Sequence, residues 1–373
     1  MNHNPRPAST QSSANPDDLL AWYDRHHRDL PWRVSPRARA RGHHPDPYHV
    51  WLSEVMLQQT TVQAVKSYFE KFLTLWPEVT DLAAAETEDV MKAWAGLGYY
   101  ARARNLKKCA EAVVALHGGV FPNTVEGLQS LPGVGDYTSA AIAAIAFDNR
   151  ALVMDGNVER VVSRLYAVRE ALPGAKPTLK AHLDTLTPNE RPGDFAQAMM
   201  DLGATICTPK RPGCSFCPWW ENCLALLTDD PENFPVKAAK KDKPIRQGAA
   251  FVAIDEQGRV LLRKRVDSGL LGGMTEVPTT TWTASKDGGT TVEYAPFEAD
   301  WRPCGVITHV FTHFELRLSV FRAEGDAPGR EVASWWEPIP NLDAQALPTV
   351  MKKAITAAIP DAFAPATRKR NVR

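Results

Sequence analysis

Four cysteines near the middle of the chain constrain its fold more than any other feature. They follow the spacing C-x6-C-x2-C-x5-C and are Cys207, Cys214, Cys217 and Cys223. A disulfide framework is the weakest interpretation, because no apolar signal peptide precedes the group and cytosolic thiols stay reduced. Zinc sites usually pair two short C-x2–4-C units, and only the two central cysteines are that close. The spacing therefore favours a four-thiolate iron–sulfur cluster, with zinc as the next choice.

Length and composition are those of an ordinary globular protein. The chain has 373 residues, 44% hydrophobic and 23% charged, which is enough for two or three domains with their own cores. Lys and Arg together number 43, as do Asp and Glu, so net charge argues neither for nor against nucleic acid. Six arginines between Arg25 and Arg41 could contact phosphate, although basic runs are often simply solvated. No apolar run approaches a membrane span, so a cytoplasmic protein is expected, nucleoid-associated if bacterial.

Pattern changes along the chain predict a mainly α N-terminal region followed by an α+β domain. Helix signals recur from Asp17 to about Asp230; one begins at Asp46-Pro47, and apolar residues keep helical spacing from Trp51 to Phe69. Beyond Pro231, strand-like runs such as AAFVAID and FELRLSVF alternate with turns. The predicted segments are a disordered tail (1–16), a helical domain (17–206), a four-cysteine loop (207–230), a linker (231–247), an α+β domain (248–360) and a basic tail (361–373).

A glycine-rich turn before an Ala-rich helix forms the second strong signal, LPGVGDYTSAAIAAIAF. Gly133 and Gly135, on either side of Val134, can take positive φ and allow a close approach of another backbone. The free N–H groups at the start of the following helix would form an anion site suited to a phosphate. This is the arrangement of a helix-hairpin-helix motif, which holds the DNA backbone without reading sequence. An ordinary Gly-rich helix connection is the alternative.

Two carboxylates are candidates for cleaving a bond. Glu54 lies in WLSEVMLQQT on a helix that looks buried, with Gln58 one turn further on. Burial raises the pKa of a carboxyl group, and a neutral acid can donate a proton to a leaving group; a structural hydrogen bond is the alternative. Asp155 stands at the N-cap position of GNVERVVSRLY, where capping alone would explain it and the helix dipole would keep it charged. Together they match the acid-plus-carboxylate pair of glycoside cleavage.

Taken together, these segments closely resemble the adenine DNA glycosylase (MutY) family from about Asp17 to near Pro348. LPWR, WLSEVMLQQT, GLGYYARARN, LPGVGDYTSAA, MDGNVERV and the cysteine spacing occur in that family's order. The wider helix-hairpin-helix glycosylase superfamily shares the hairpin, the Asp and the cysteines. WLSEVMLQQT and the second domain point to the adenine branch. The resemblance therefore implies a helix-hairpin-helix catalytic region, an iron–sulfur loop and a Nudix-like α+β domain.

The resemblance also implies a role for each matching residue. Glu54 would protonate N7 of adenine, and Asp155 would stabilise the oxocarbenium ion or act as a transient nucleophile, with Tyr137 and Asn157 assisting. The residues expected at the substrate are Arg28, Trp32, Arg33, Leu57, Gln58, Gln59, Tyr99 and Gln197, with Phe311, Thr312 and His313 at 8-oxoguanine. Gly133, Val134 and Gly135 would hold the DNA backbone. The four cysteines would hold one [4Fe–4S] cluster that orders a loop on the DNA.

The expected protein is thus a monomeric, monofunctional enzyme that flips adenine out of duplex DNA opposite 8-oxoguanine or guanine. Two positions depart from the family: Thr312, often Ser, and Thr275, where many relatives have Trp. The second domain lacks the G-x5-E-x7-R-E-x2-E-E pattern, so pyrophosphate hydrolysis is not expected. The rivals are an endonuclease III-like glycosylase and AP lyase acting on oxidised pyrimidines, a silent damage sensor and a zinc-binding scaffold. The lyase would carry a nucleophilic lysine where Tyr137 stands.

Overall fold

The computed structural model describes residues 14–238, 242–266, 269–325 and 334–364. These residues form two compact units: one contains the described residues up to Ala84 and those from Asn105 to 238, and the other contains Ala85–Arg104 and those from 242 onward. Most of the predicted tail at 1–16, most of the basic tail at 361–373 and linker residues 239–241 lie outside the described residues. Among the described residues, no helix has the length and apolar character needed to cross a membrane.

The first unit is helical, as predicted. In chain order, the helices up to the cysteine segment and just beyond it are α1 (Pro16–His26), α2 (Pro36–Arg39), α3 (Pro47–Leu57), α4 (Val62–Leu75), α5 (Val79–Ala84), α6 (Thr87–Trp94), α7 (Ala101–His117), α8 (Val125–Gln129), α9 (Asp136–Phe147), α10 (Gly156–Leu165), α11 (Lys176–Leu186), α12 (Pro192–Thr205) and α13 (Leu224–Thr228). Helix α6 belongs to the second unit, and the boundary between the units falls within α7.

The helical pattern predicted from Trp51 to Phe69 is interrupted in the structure. Gln58 leaves helical geometry at ψ 112°, and Gln59 takes a left-handed φ of 55°. The Thr61 side chain then accepts a hydrogen bond from the Ala64 N–H and caps α4. Threonine side chains that bind nearby backbone N–H groups favour helix starts over helix interiors. The prediction of one continuous helical pattern across this segment is therefore wrong, since the chain turns away from α3 at Gln58, one turn after Glu54.

Close packing of α10 and α12 depends on a glycine. A Cβ atom added to Gly203 of α12 would lie 2.6 Å from the Cβ of Asn157, at the start of α10. Heavy atoms cannot approach so closely without displacing one of the two backbones. Gly203 therefore allows α12 to run directly against the residues that follow Asp155, which fixes one wall of the site described below.

The second unit has the predicted α+β architecture. Its strands are β1 (Ile245–Ile254), β2 (Arg259–Lys264), β3 (Thr275–Glu276), β4 (Arg302–Val310), β5 (Glu315–Glu324) and β6 (Ser334–Pro338), and a further helix, α14 (Thr349–Ala358), follows. The strand order is β3-β2-β1-β5-β4, with β6 paired to β2. Only β1 and β5 pair in parallel among these strands; their neighbours pair antiparallel. Apolar residues of α14 and the sheet, including Val252, Leu316 and Ile355, form one buried core.

The segment predicted as a linker, 231–247, is partly structured at both of its ends. Phe234 is buried, and the Leu172 N–H donates to the Val236 carbonyl at 2.9 Å. At the other end, β1 already begins at Ile245.

Candidate active site

One cavity of about 880 Å³ in the first unit contains most of the predicted site residues. It lies among the end of α3, the turn before α9, the start of α10 and the middle of α12. The predicted residues that line it are Arg28, Trp32, Arg33, Glu54, Leu57, Gln58, Gln59, Gly133, Gly135, Tyr137, Asp155, Asn157 and Gln197. Glu54 and Asp155 are 101 positions apart in the sequence, and both line this cavity.

Glu54 is buried in a way that changes its acidity. Both faces of α3 are covered around it, so the residue is only 6% exposed. Burial raises the pKa of Glu54 from 4.5 to about 7, and the nearby charge of Asp155 raises it as well. The Tyr137 hydroxyl donates a 2.7 Å hydrogen bond to Oε2, which lowers this pKa, as does Arg33. The predicted raised pKa is confirmed, and Glu54 can carry a proton close to neutral pH.

Asp155 caps α10, as predicted. Its Oδ1 accepts hydrogen bonds from the backbone N–H groups of Asn157 (2.9 Å) and Val158 (2.7 Å). Its Oδ2 accepts another from Nδ2 of Asn157 at 3.0 Å, and Asn157 Oδ1 accepts one from Arg160. These bonds fix the orientation of the carboxylate while it lines the cavity, so capping and a role in chemistry are compatible in this geometry.

Tyr137 contributes a neutral hydroxyl donor. It lies in the first turn of α9, where burial and the nearby Glu54 carboxyl raise its pKa well above the usual value. Next to it, the Thr138 hydroxyl accepts a 3.2 Å hydrogen bond from Nε2 of Gln58. This bond ties the residue that ends α3 to the start of α9. The turn between Gln58 and Thr61 is thereby held at the cavity edge.

The backbone conformation of the glycine-rich turn requires a glycine at one of its two glycine positions. Gly133 has φ 76°, and a Cβ atom there would lie 2.6 Å from the Cβ of Asn105. Gly135 has φ −98° and serves as the N-cap of α9, so Gly133 is the one of the two glycines that uses positive φ. No side chain caps α9 at this residue in the described structure. Its first N–H groups can therefore bind an external anion.

Apart from the cysteines, the predicted site residues that do not line this cavity are Val134, Tyr99, Phe311, Thr312 and His313. Val134 is buried in the turn. In the second unit, the Tyr99 hydroxyl lies 3.4 Å from the Thr312 hydroxyl, and Tyr99 has a left-handed φ of 48°. Phe311 stacks on Phe314 with ring centroids 4.7 Å apart, while Thr312 and His313 are exposed. The structure thus brings Tyr99 next to Thr312 within one unit.

Asp201, which the sequence interpretation missed, holds two arginines of the cavity. Its fully buried carboxylate accepts from Nη1 of Arg33 at 2.9 and 2.8 Å, and from both the backbone N–H and Nε of Arg28. Asp201 lies on α12 four residues after Gln197, which lines the cavity, and helical residues four apart share a face. That spacing places Asp201 on the Gln197 side of α12, but it does not identify the two arginines as its partners.

Removing this carboxylate should cost considerable stability. Asp201→Ala leaves the buried Arg33 guanidinium without its anion, and breaking a buried ion pair in this way costs about 3–5 kcal/mol. We expect chemical denaturation to show a decrease of this size in the free energy of unfolding. The matched control is Asp184→Ala, which removes a carboxylate paired with Arg150 at the surface and should change stability by less than about 1 kcal/mol. Equal effects for the two variants would contradict the importance assigned to Asp201.

The four cysteines lie near one another in the segment after α12. Burial, together with the neighbouring Cys207, Cys223 and Cys214, raises the pKa of the Cys217 thiol to about 12. The buried Arg164 donates from Nη1 to Sγ of Cys207 at 3.3 Å and from Nη1 to the Thr208 carbonyl at 2.7 Å. Within the described ranges, no group of three or more His, Cys, Asp or Glu side chains is arranged to hold a metal ion. Four thiols are the donor set that an iron–sulfur cluster takes, and Arg164 supplies a cationic N–H donor to one of their sulfurs.

Comparisons with known proteins agree with this architecture. Residues 52–187 match the family described as HhH-GPD superfamily base excision DNA repair protein, and residues 249–357 match the NUDIX domain. An adenine DNA glycosylase from Mus musculus is 37% identical over 90% of this chain and 76% of its own length. The protein of that name from Homo sapiens is 36% identical over 90% and 72%. That from Mycobacterium tuberculosis is 38% identical over 65% and 76%.

Proposed function

Because this chain belongs to the adenine DNA glycosylase family, we propose that it excises adenine mispaired with 8-oxoguanine or guanine from duplex DNA in base excision repair. The observation that carries the proposal is the single cavity faced by a buried acid, Glu54, and a capping carboxylate, Asp155. We assign the catalytic region to 17–206, the cysteine loop to 207–230 and the recognition domain to 248–360. The two family matches, at 52–187 and 249–357, support this division.

The two carboxyl groups would act at opposite ends of the bond that breaks. A base inside a duplex cannot be reached, so the adenine must rotate into the cavity. Glu54 would donate its proton to N7, so that the electrons of the N-glycosidic bond leave with a neutral adenine. The sugar then develops positive charge, which Asp155 would stabilise or briefly capture. Water would add at C1′ and lose a proton to give the abasic sugar. Asn157 would keep Asp155 oriented through its 3.0 Å hydrogen bond.

The remaining site residues would bind the two bases. Trp32, Leu57 and Gln197 line the cavity that would hold adenine. Gln59 and Tyr99, both with left-handed backbone, would enter the opened stack at the opposite base. Strained backbone of this kind is often retained at functional sites. Phe311, Thr312 and His313 would inspect 8-oxoguanine. We propose that the enzyme acts as a monomer in the compartment that holds the DNA.

One assay separates this function from that of a glycosylase with lyase activity. A duplex with adenine opposite 8-oxoguanine should yield free adenine, and its strand should break only after alkali treatment. Tyr137 supplies a hydroxyl rather than an amine, so borohydride should trap little covalent enzyme–DNA adduct. Strand cleavage without alkali together with strong trapping would instead favour the lyase on oxidised pyrimidines. A duplex with adenine opposite thymine is the matched control and should yield no adenine.

The reaction should depend on pH through Glu54. The acid is active when protonated, so kcat/KM should be retained below about pH 7 and fall about tenfold per pH unit above it. Tyr137→Phe removes the hydrogen bond that lowers the pKa of Glu54, so the midpoint of this decline should move to higher pH. Rates measured from pH 5 to 9 for the two proteins test this. A midpoint that stays in place or moves down would contradict the assignment of Glu54 as the acid.

We further propose that Cys207, Cys214, Cys217 and Cys223 hold a [4Fe–4S] cluster. The cluster would order the cysteine loop against DNA and take no part in bond cleavage. The thiols' proximity and the N–H donation from Arg164 to Cys207 support this. Purified protein should absorb visible light and contain about four irons per chain. Cys217→Ser should lose both properties, whereas Cys109→Ser, at a buried thiol outside the group, should keep them. Colourless protein with one zinc would support the scaffold interpretation.

A further inference from the structure

The charges that line the catalytic cavity are unevenly matched. Its wall has the carboxylates of Asp136, Asp155 and Glu159 in addition to the acid Glu54, and its basic residues are Arg28, Arg33 and Lys176. Both arginines are bound by Asp201, which the cavity does not expose. Among the described residues that line this cavity, Lys176 is therefore the cation that Asp201 does not bind. Each DNA phosphate carries a full negative charge. The acidic wall would therefore repel the DNA backbone unless a cation lies where the backbone passes.

Lys176 is well placed to supply that cation. It is the first residue of α11, with its side chain 53% exposed, and its Nζ lies 3.0 Å from Oε1 of Glu159. Glu159 is only 15% exposed and lies on α10 four positions after Asp155, so the two acids share one side of the helix start. The ion pair therefore holds the ammonium group on the Asp155 side of the cavity.

We propose that Lys176 contacts a DNA phosphate next to the extruded adenosine, and that this phosphate replaces Glu159 as the partner of the Lys176 ammonium group. This inference rests on the proposed function. A lysine ammonium is a compact charge on a flexible stem, which suits a phosphate whose position changes as the nucleotide rotates out. The contact offsets the repulsion between that phosphate and Asp155. Lys176 is thus a binding and positioning residue, and it stays outside the bond-breaking chemistry.

The salt dependence of binding measures this contact directly. The probe is a duplex with 2′-fluoro-2′-deoxyadenosine opposite 8-oxoguanine, which resists cleavage because fluorine disfavours the oxocarbenium ion. In a plot of log Kd against log salt concentration, each neutralised phosphate contributes a slope of about 0.9. Lys176→Ala should lower the slope by about that amount, and Lys176→Arg should restore it. Glu159→Gln should tighten binding at low salt, because it removes a negative charge facing DNA.

The matched control is Lys180→Ala, which removes an exposed lysine one turn along α11 that does not line the cavity. Its slope should equal that of the wild type. An unchanged slope for Lys176→Ala, an equal loss for Lys180→Ala, or weaker binding by Glu159→Gln would overturn the inference. Borohydride trapping that disappears with Lys176→Ala would also overturn it, since the amine would then be a nucleophile. Failure of the wild type to release adenine from cleavable duplex would instead count against the proposed function.

Discussion

Replacing Glu54 by Gln is expected to slow adenine release by about 10³-fold while binding to duplex DNA is retained. The change keeps the size of the side chain and leaves an oxygen that can accept the hydrogen bond from Tyr137. It removes the transferable proton, so adenine would have to leave as an anion. Single-turnover release of free base from a duplex with A opposite 8-oxoguanine measures the effect.

The control for this variant is the same change at an exposed carboxylate. Glu70→Gln on α4 alters a residue away from the cavity and should keep the wild-type rate. An unchanged rate for Glu54→Gln would contradict its assignment as the acid. Loss of DNA binding in step with the rate would mean that Glu54 maintains the site instead of donating a proton.

The pH dependence of the free energy of unfolding is an independent test of the raised pKa of Glu54. Because its pKa is raised from 4.5 to about 7 in the folded protein, the folded state favours the protonated form. The stability associated with this group is fully present below about pH 4.5 and is lost as the pH rises through 7. The loss amounts to on the order of 3 kcal/mol for a shift of this size. Glu54→Gln should therefore unfold at higher denaturant concentration than the wild type at pH 8, with the difference shrinking towards pH 4.5.

Replacing Asp155 by Asn should separate its structural role from its chemical one. Asn caps helices about as well as Asp, so the free energy of unfolding should change by less than about 1 kcal/mol. The negative charge facing the sugar is lost, and adenine release should fall by about 10³-fold. Denaturation curves and single-turnover rates on the same preparations measure both effects.

Asp155→Ala is the comparison that removes the cap as well. It should lose about 1 kcal/mol of stability, because the N–H groups of Asn157 and Val158 lose their acceptor. Its rate should be as low as that of Asp155→Asn. If Asp155→Asn kept the wild-type rate and only Asp155→Ala were slow, Asp155 would be a cap and nothing more.

Local signals in the sequence were sufficient to predict the burial of Glu54 and the capping position of Asp155. The apolar residues on both sides of Glu54 correctly indicated its burial and its raised pKa. Asp before GNVERVV correctly indicated the N-cap of α10. Both properties depend on residues within one or two helical turns, which is the range over which sequence patterns are informative.

Features that depend on tertiary contacts were not predictable in this way. Asp201 binds Arg28 and Arg33 from about 170 positions away, and the periodicity of α12 does not specify such a partner. The pairing of Lys176 with Glu159 likewise joins two helices. The prediction of one continuous helical pattern from Trp51 to Phe69 missed the turn at Gln58. Apolar residues on the two sides of a short turn can fit a single helical period by chance.

The most direct test of the central claim is the rate of the double variant Glu54→Gln with Asp155→Asn. If both groups act on one extruded adenosine, the loss of either should already prevent catalysis of the same bond-breaking step. Residues that work as a unit show strongly non-additive effects. We predict single-turnover adenine release within about tenfold of the slower single variant. A double variant whose loss equals the product of the two single losses would contradict the claim, because the carboxylates would then act independently.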